Sequence, residues 1–255
     1  MLSTWKHKAV RCLPGPVTRW LKKMYYPRLV LNFPESRWPG AEVVRKLVGP
    51  GDCVVDAGAN IGYVSALLAR WVGETGIVHA FEPVPETYEL LQHNMRKTGL
   101  HQVVTHAVAL SSTRGKAQMA LAEYPDGGRN LYESRMARAG EQMGAMVPVE
   151  QETLDAVAGS WGRKVSFIKI DVEGHELEVI RGATNTLMKD RPSLYIEVSG
   201  DPDVPLSSAS ELVKCLSALG YGAYCSSGSS VRSRQVGDRV TDYFFLLPEH
   251  NALLS

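Results

Sequence analysis

The sequence predicts an α/β protein built around a mostly parallel β-sheet with helices on both faces. Stretches with strand character alternate with stretches whose apolar residues recur at helical spacing. The strands are almost continuously apolar, as expected for strands buried on both faces. The 255 residues, 44% of them hydrophobic, suffice for one large domain of this class.

Seven strands are predicted from apolar runs, at residues 53–56, 77–81, 103–108, 165–171, 193–198, 221–225 and 243–247. The predicted helices are 61–71, 85–98, 175–181 and 206–219. Pro85 in the first turn and Gly99 just past the end delimit the second helix, because proline tolerates a helix start and glycine a left-handed end. The last two strands are expected to pair as a hairpin. Between 111 and 150 the alternation breaks, which indicates a hairpin and a mobile insertion.

Ligands of such sheets bind outside the carboxyl ends of the strands, so the residues after each strand are the candidates. Asp56, Gly58, Asn60 and Gly62 follow the first strand. Glycines there allow close approach of a ligand to the backbone, and the following helix start supplies free N–H groups. The G-x-N-x-G spacing departs from the dinucleotide pattern G-x-G-x-x-G, which disfavours a hydride-transfer enzyme. Glu82 follows the second strand, where an acid can accept hydrogen bonds from a ribose diol.

The densest ionisable cluster follows the fourth strand. It contains Asp171, Glu173, His175 and Glu176, and Glu197 takes the corresponding position after the fifth strand. Three interpretations of this cluster stay open: binding of a cationic ligand, a general base, or a metal site. The structural alternative is that acids near a helix N-terminus complement the helix dipole.

Several stretches resemble the FkbM family of S-adenosylmethionine-dependent methyltransferases. They include VVDAGANIGYVSALLA, FEPVPETYELLQHN and FIKIDVEGHELEVIRGA, and the resemblance runs from about Asp52 to Ser199. It implies a class I (Rossmann-like) methyltransferase fold with a seven-stranded, mostly parallel sheet and an antiparallel C-terminal hairpin. It also implies methyl transfer from S-adenosylmethionine to an oxygen of a small molecule, sugar, glycolipid or polyketide.

The resemblance further implies roles for individual residues. Asp56, Gly58, Asn60 and Gly62 would line the methionine and ribose part of the cofactor, and Glu82 would hold the ribose hydroxyls. Pro83, Ala107 and Val108 would pack near the adenine. Asp171 would face the amino end of the cofactor.

The reaction needs a base, because an alcohol is a poor nucleophile at neutral pH. His175 is the leading candidate for this base, followed by Glu173 and Glu197. A divalent metal is the alternative means of activating the hydroxyl, because it lowers the pKa of a bound alcohol. Its site could be formed by Asp171, Glu173, His175 and Glu197. The Asp-Asn pair typical of metal-dependent O-methyltransferases after the fifth strand is replaced here by Glu197-Val198-Ser199. We therefore predict no metal.

The insertion at 123–147 is predicted to be a lid over the cofactor that selects the acceptor. Its Arg129, Asn130 and Arg135 are the candidate acceptor-binding residues. The domain itself is predicted over 39–255, preceded by a basic arm at 1–38.

The charge balance sets this arm apart. Residues 1–34 hold seven lysines and arginines and no acid, whereas the rest of the chain holds 21 cations against 27 acids. The arm is expected either to pack across the domain as a helix or to contact an anionic membrane surface through residues 1–30. No nucleic-acid motif accompanies it. Four widely spaced cysteines and the lack of a secretory signal favour a cytoplasmic protein. If the arm contacts a membrane, which is the second alternative, that contact is expected at the inner face.

Two other functions stay open alongside O-methylation. One is a non-catalytic module that keeps the fold as a scaffold or membrane-associated partner. The other is methylation of a nitrogen, because the motif residues indicate which cofactor binds and say less about the acceptor.

Overall fold

A computed structural model describes residues 15–123, 129–137 and 145–254, with the backbone alone described at 15–16, 122–123 and 129–133. The strands in these ranges are β1 (Cys53–Ala57), β2 (Ile77–Phe81), β3 (Val103–His106), β4 (Ala109–Leu110), β5 (Gly115–Glu123), β6 (Arg129–Met136), β7 (Ala145–Glu152), β8 (Val165–Ile170), β9 (Ser193–Glu197), β10 (Gly222–Ser227), β11 (Ser230–Ser233) and β12 (Asp242–Leu246). The helices are α1 (Gly15–Leu31), α2 (Ala41–Leu47), α3 (Tyr63–Val72), α4 (Pro85–Thr98), α5 (Leu154–Ala158), α6 (Glu176–Arg181), α7 (Thr184–Asp190), α8 (Ser208–Ala218) and α9 (Pro248–Asn251).

The main sheet confirms the predicted α/β class. Its strands lie in the order β11-β10-β12-β9-β8-β1-β2-β3, and those from β9 to β3 run parallel. The carboxyl ends of β1, β2, β8 and β9 therefore meet at one edge, which is where the sequence predicts the site.

The strand count is corrected from seven to eight. The predicted terminal hairpin is present as the antiparallel pair β10 and β12, and β12 also pairs antiparallel with β9. The Ser-rich loop between them contains a further strand, β11, which pairs with the outer edge of β10. Its residues are mostly exposed, so it has no apolar run from which it could be predicted.

The core forms two layers, one on each face of the main sheet. Val54 packs into the layer that contains α2, α3 and α4. Its neighbours Cys53 and Val55 point the other way, into the layer with α6, α7 and α8. This period of two is the geometry of a strand, and because both faces are apolar the strand reads as a continuous apolar run.

A second sheet replaces much of the irregular segment predicted at 111–150. Its strands lie in the order β4-β7-β5-β6, with β5 paired antiparallel to both β6 and β7. The predicted hairpin is therefore part of a larger sheet, whose Ala109, Met119 and Val149 form a small apolar cluster with Val84. Residues 124–128 and 138–144 of the predicted lid lie outside the described residues.

Helix α1 lies on the domain rather than apart from it. Val30 is fully buried in the core layer of α3 and α4, and Tyr26 packs against the same layer. The His93 ring is 2.9 Å from the Lys23 carbonyl oxygen, which ties α1 to α4. Residues 1–14 of the predicted basic arm lie outside the described residues. In the described ranges, no helix has the combination of length and hydrophobicity needed to cross a bilayer.

Candidate active site

A cavity of about 350 Å³ opens at the carboxyl ends of β1, β2, β8 and β9. Its walls are the turns after these strands, part of the second sheet and the segment between α1 and α2. The volume is within the range of sites that bind small molecules and cofactors.

The turn after β1 requires a glycine at its first position. Gly58 has a φ of +78°, and a Cβ built on it would lie 1.8 Å from the Asp171 carbonyl oxygen. The amides of Gly58 and Ala59 both donate to the Phe81 carbonyl, at 3.1 and 2.9 Å. The turn is thus clamped between the ends of β2 and β8, and any side chain at Gly58 would force them apart.

Glu82 is a buried acid held by backbone amides. Its exposed fraction is 7%, and its carboxylate accepts hydrogen bonds from the amides of Asn60 at 3.0 Å and Val84 at 2.9 Å. Burial raises the pKa of Glu82 to about 7, although both hydrogen bonds and nearby Lys169 act to lower it. Each carboxylate oxygen has a second lone pair, so Glu82 can still accept hydrogen bonds from a ligand.

Lys169 is buried between two acids at the end of β8. Its Nζ lies 3.3 Å from Asp56 Oδ1 and 3.2 Å from Asp171 Oδ2, and it donates to the Gly58 carbonyl at 2.9 Å. Burial acts to lower the pKa of Lys169, but Asp171 and Asp56 outweigh it and the net shift is upward. The ammonium therefore stays charged and joins the ends of β1 and β8.

Asp56 forms an ion pair with Lys169 and lies behind the cavity wall. It is fully buried, and its Oδ2 accepts a 2.6 Å hydrogen bond from the Ser65 hydroxyl. Its Oδ1 faces Lys169 at ion-pair distance, outside hydrogen-bond geometry. Asp56 is not among the described residues that line the cavity.

Three acids line the side of the cavity formed by β8 and β9: Asp171, Glu173 and Glu197. Burial raises the pKa of Glu197 to about 7, and the charges of Asp171, Asp242 and Glu173 add to the shift. Like charges brought together in a partly buried site favour a cationic ligand, which would relieve their repulsion.

His175 lines the same cavity just before α6. Its Nε2 lies 2.9 Å from the Ser111 hydroxyl, which fixes the ring and joins the loop after β8 to the second sheet. Burial lowers the pKa of His175, although Glu178 acts to raise it. The imidazole is therefore neutral at pH 7 and able to take up a proton.

A family model described as the methyltransferase FkbM domain matches residues 56–222, well over half of the chain. This chain belongs to the FkbM methyltransferase family. The sequence resemblance and the class I methyltransferase fold that it implies are thereby confirmed.

Curated methyltransferases from other organisms are similar to part of this chain. Methyltransferase 1 from Beauveria bassiana (strain ARSEF 2860) is 31% identical over 145 residues, covering 51% of this chain and 57% of that protein. The hexuronic acid methyltransferase AglP from Haloferax volcanii is 30% identical over 137 residues, covering 53% of this chain and 52% of that protein. The chain spans about half the length of the curated relatives it matches.

Among solved structures, an FkbM methyltransferase from Methylobacillus flagellatus KT matches with a TM-score of 0.50 and 19% identity. The match covers 76% of this chain and 43% of that chain. At this identity the likeness concerns the fold alone.

The FkbM domain brings many of the predicted site residues to one cavity. Those that line it are Gly58, Asn60, Glu82, Pro83, Val108, Asp171, Glu173, His175 and Glu197. Gly62 and Ala107, like Asp56, are not among its described lining residues. Gly62 instead faces α4, where a Cβ would lie 2.5 Å from Met95 Cε.

The acceptor-binding predictions fall partly outside the described side chains. Arg129 and Asn130 lie on β6, where the structure describes only their backbone. Arg135 donates to the Met136 carbonyl at 3.2 Å and is not among the described lining residues. Ser134 and Met136 of the same strand do line the cavity.

Sequence reasoning missed the contribution of the segment before β1. Phe33, Arg37 and Trp38 line the cavity of the FkbM domain, although the sequence prediction assigns them to a separate arm. The Phe33 and Tyr63 ring centres lie 4.7 Å apart with the rings tilted by 32°, and the Arg37 guanidinium lies 5.9 Å from the Phe33 ring centre. Their order in the sequence carries no motif, so only contacts made in the folded chain identify them.

Across the described side chains, no group of three or more His, Cys, Asp or Glu residues is arranged to hold a metal ion.

Replacing Lys169 by methionine should destabilise the domain by about 3–5 kcal/mol, because Asp56 would keep a buried, unpaired charge. Urea unfolding followed by circular dichroism would measure the free energy of unfolding. Adding Asp56→Asn to Lys169→Met should restore part of the loss. Lys214→Met, at an exposed lysine, is the matched control and should change little. Equal stability of Lys169→Met and wild type would contradict the assigned ion pair.

Proposed function

We propose that this FkbM domain transfers a methyl group from S-adenosylmethionine to a hydroxyl oxygen of a sugar, glycolipid or polyketide-type acceptor. The observation that carries the proposal is a cavity with two distinct acidic sides. Glu82 lies on one side, and the acids that follow β8 and β9 lie on the other. A ligand with a ribose diol and a separate cationic part matches this arrangement.

The residues of the cavity fit such a cofactor by their chemistry. Glu82 is held by the amides of Asn60 and Val84, so it can accept hydrogen bonds from two neighbouring hydroxyls without reorganising. Asp171 and Glu197 suit the ammonium and sulfonium charges. Pro83 and Val108 offer apolar contact for a base. S-adenosylmethionine, when bound, supplies a methyl group on a positively charged sulfur, which is an activated leaving group.

We propose His175 as the base that removes the proton of the acceptor hydroxyl. Its imidazole is neutral near pH 7 because burial lowers its pKa. Its contact with Ser111 engages Nε2, which leaves Nδ1 for the proton of the acceptor. Glu173 and Glu197 are the alternative bases, since both line the same cavity.

The acceptor is proposed to bind between the second sheet and the Phe33–Trp38 segment. Met119, Ser134 and Met136 line the cavity from the second sheet, which supports a covering role for 123–147. Arg129, Asn130 and Arg135 are proposed to contact the acceptor there. Arg37 adds an exposed cation at the wall, suited to a carboxylate. The relative named as a hexuronic acid methyltransferase supports an acceptor of the sugar acid class.

Isothermal titration calorimetry tests the cofactor assignment. The wild-type chain should bind S-adenosylmethionine, and Glu82→Gln should weaken binding about tenfold to a hundredfold, because charge-assisted hydrogen bonds to the ribose are lost. Glu74→Gln, at an exposed acid outside the cavity, is the matched control and should bind as the wild type does. No binding by the wild type, or equal binding by Glu82→Gln, would overturn the assignment.

The affinity for S-adenosylmethionine should rise with pH through about 7. Glu197 is partly protonated there, since its pKa is raised to about 7, and a cationic ligand favours its ionised form. Binding of the cofactor therefore releases a proton from Glu197. At higher pH Glu197 is already ionised before binding, so the affinity is higher. Titrations between pH 6 and 8 should give a shallower slope for Glu197→Gln than for wild type. Identical slopes would exclude Glu197 from the cationic side of the cofactor.

A methyl-transfer assay against sugars, sugar acids, glycolipids and polyketides tests the reaction. With an accepted substrate, His175→Ala should lower kcat about 10²–10⁴-fold while leaving cofactor affinity unchanged, because only proton removal is lost. The wild-type kcat should fall only below about pH 6.5, since His175 has a lowered pKa. His101→Ala, at an exposed histidine, is the control.

If His175→Ala turns over as fast as wild type, His175 is not the base that removes the acceptor's proton, and Glu197 or Glu173 takes its place. Cofactor binding without transfer to any acceptor of the panel would favour the non-catalytic alternative.

A further inference from the structure

The outward face of α1 is apolar and exposed. Val17, Trp20, Met24 and Leu31 follow one another at helical spacing, and their exposed fractions are 41%, 61%, 63% and 43%. Residues three, four and seven apart lie on one side of a helix. They therefore form a stripe along one side of α1, whose 17 residues span about 25 Å.

This face cannot turn inward, because the opposite face of α1 is already packed. Val30 is fully buried and Tyr26 packs beside it. Lys22 and Lys23 point towards α4, where they lie 3.6 Å from Glu86 and 4.0 Å from Glu89. The two ion pairs and the buried residues fix the rotation of the helix about its axis.

Charge decides which partner suits the outward face. Residues 1–34 hold seven lysines and arginines and no acid. Arg28 is exposed and lies within the stripe, between Met24 and Leu31. A second copy of the chain would bring a second Arg28 to the same face, so self-association through this face is disfavoured. An anionic lipid surface offers both a counter-charge and an apolar interior for the stripe.

We propose that the outward face of α1 docks on an anionic membrane surface. Trp20, Met24 and Leu31 insert at the boundary between headgroups and acyl chains. Arg28 extends to the phosphates, and Tyr25, 48% exposed, lies at headgroup depth beside the stripe. The helix lies in the plane of the surface, as amphipathic helices of peripheral proteins do.

Docking of α1 brings the cavity to the membrane. The helix ends at Leu31, and Phe33 and Arg37, which line the cavity, follow within six residues. The segment that anchors the protein thus continues directly into the cavity wall. This part of the inference rests on the proposed function: the acceptor is a hydroxyl on a lipid-linked molecule, presented at the surface on which α1 lies.

Vesicle cosedimentation of the full chain tests the docking. Vesicles of phosphatidylcholine with phosphatidylserine should bind the wild type more tightly than vesicles of phosphatidylcholine alone, and added salt should weaken the binding. The double variant Trp20→Ser/Met24→Ser should bind at least about tenfold more weakly, since two inserted side chains are lost. Val236→Ser/Met188→Ser is the matched control, at apolar residues 85% and 55% exposed elsewhere on the domain.

Three results would overturn the proposal: no binding of wild type to the anionic vesicles, equal binding by the Trp20/Met24 variant, or an equal loss in the control. Sedimentation velocity adds a fourth. A wild-type dimer that the Trp20/Met24 variant converts to monomer would assign the face to a second copy of the chain.

Calorimetry with S-adenosylmethionine on the same proteins separates this inference from the proposed function. Retained cofactor binding in the Trp20/Met24 variant shows an intact site, so that a loss of vesicle binding belongs to α1. Absent cofactor binding in wild type refutes the proposed function, whatever the vesicles show.

Discussion

Lys169 lies between the carboxylates of Asp56 and Asp171, and the geometry of the site depends on this buried cation. Two acids at the ends of adjacent parallel strands would repel each other, and Asp56 is fully buried, where water cannot screen its charge. The Lys169 ammonium compensates both charges and also donates to the Gly58 carbonyl. It thereby holds the ends of β1 and β8 at the separation at which Gly58 contacts the Asp171 carbonyl.

Once Lys169 is engaged, the remaining charge of the cavity is negative. Glu82, Glu173 and Glu197 line it, and burial raises the pKa of both Glu82 and Glu197 to about 7. Such a cavity is costly to keep fully ionised, and a cationic ligand lowers that cost. The same charges that repel one another in this cavity would thus favour a positively charged ligand.

The second sheet and the segment before β1 complete the cavity through contacts in the folded chain, and no sequence motif marks their residues. Ser111 of the second sheet fixes the ring of His175, and Phe33 and Arg37 close the cavity from the N-terminal side. The sequence between 111 and 150 has weak periodicity because its sheet is only partly buried, so strands of eight or nine residues there read as irregular structure.

The sequence alone determined the α/β class and the parallel strands, because a strand buried on both faces has a continuous apolar sequence. It also determined that Gly58, Glu82, Asp171 and His175 follow these strands, at the edge of the sheet where ligands bind. Tertiary structure decided which of these residues face the cavity. Asp56 is predicted to line the site as Glu82 does, yet it is the fourth residue of β1 and lies behind the wall against Lys169. A strand-end position fixes which edge of the sheet a residue occupies, whereas the direction of its side chain depends on partners distant in sequence.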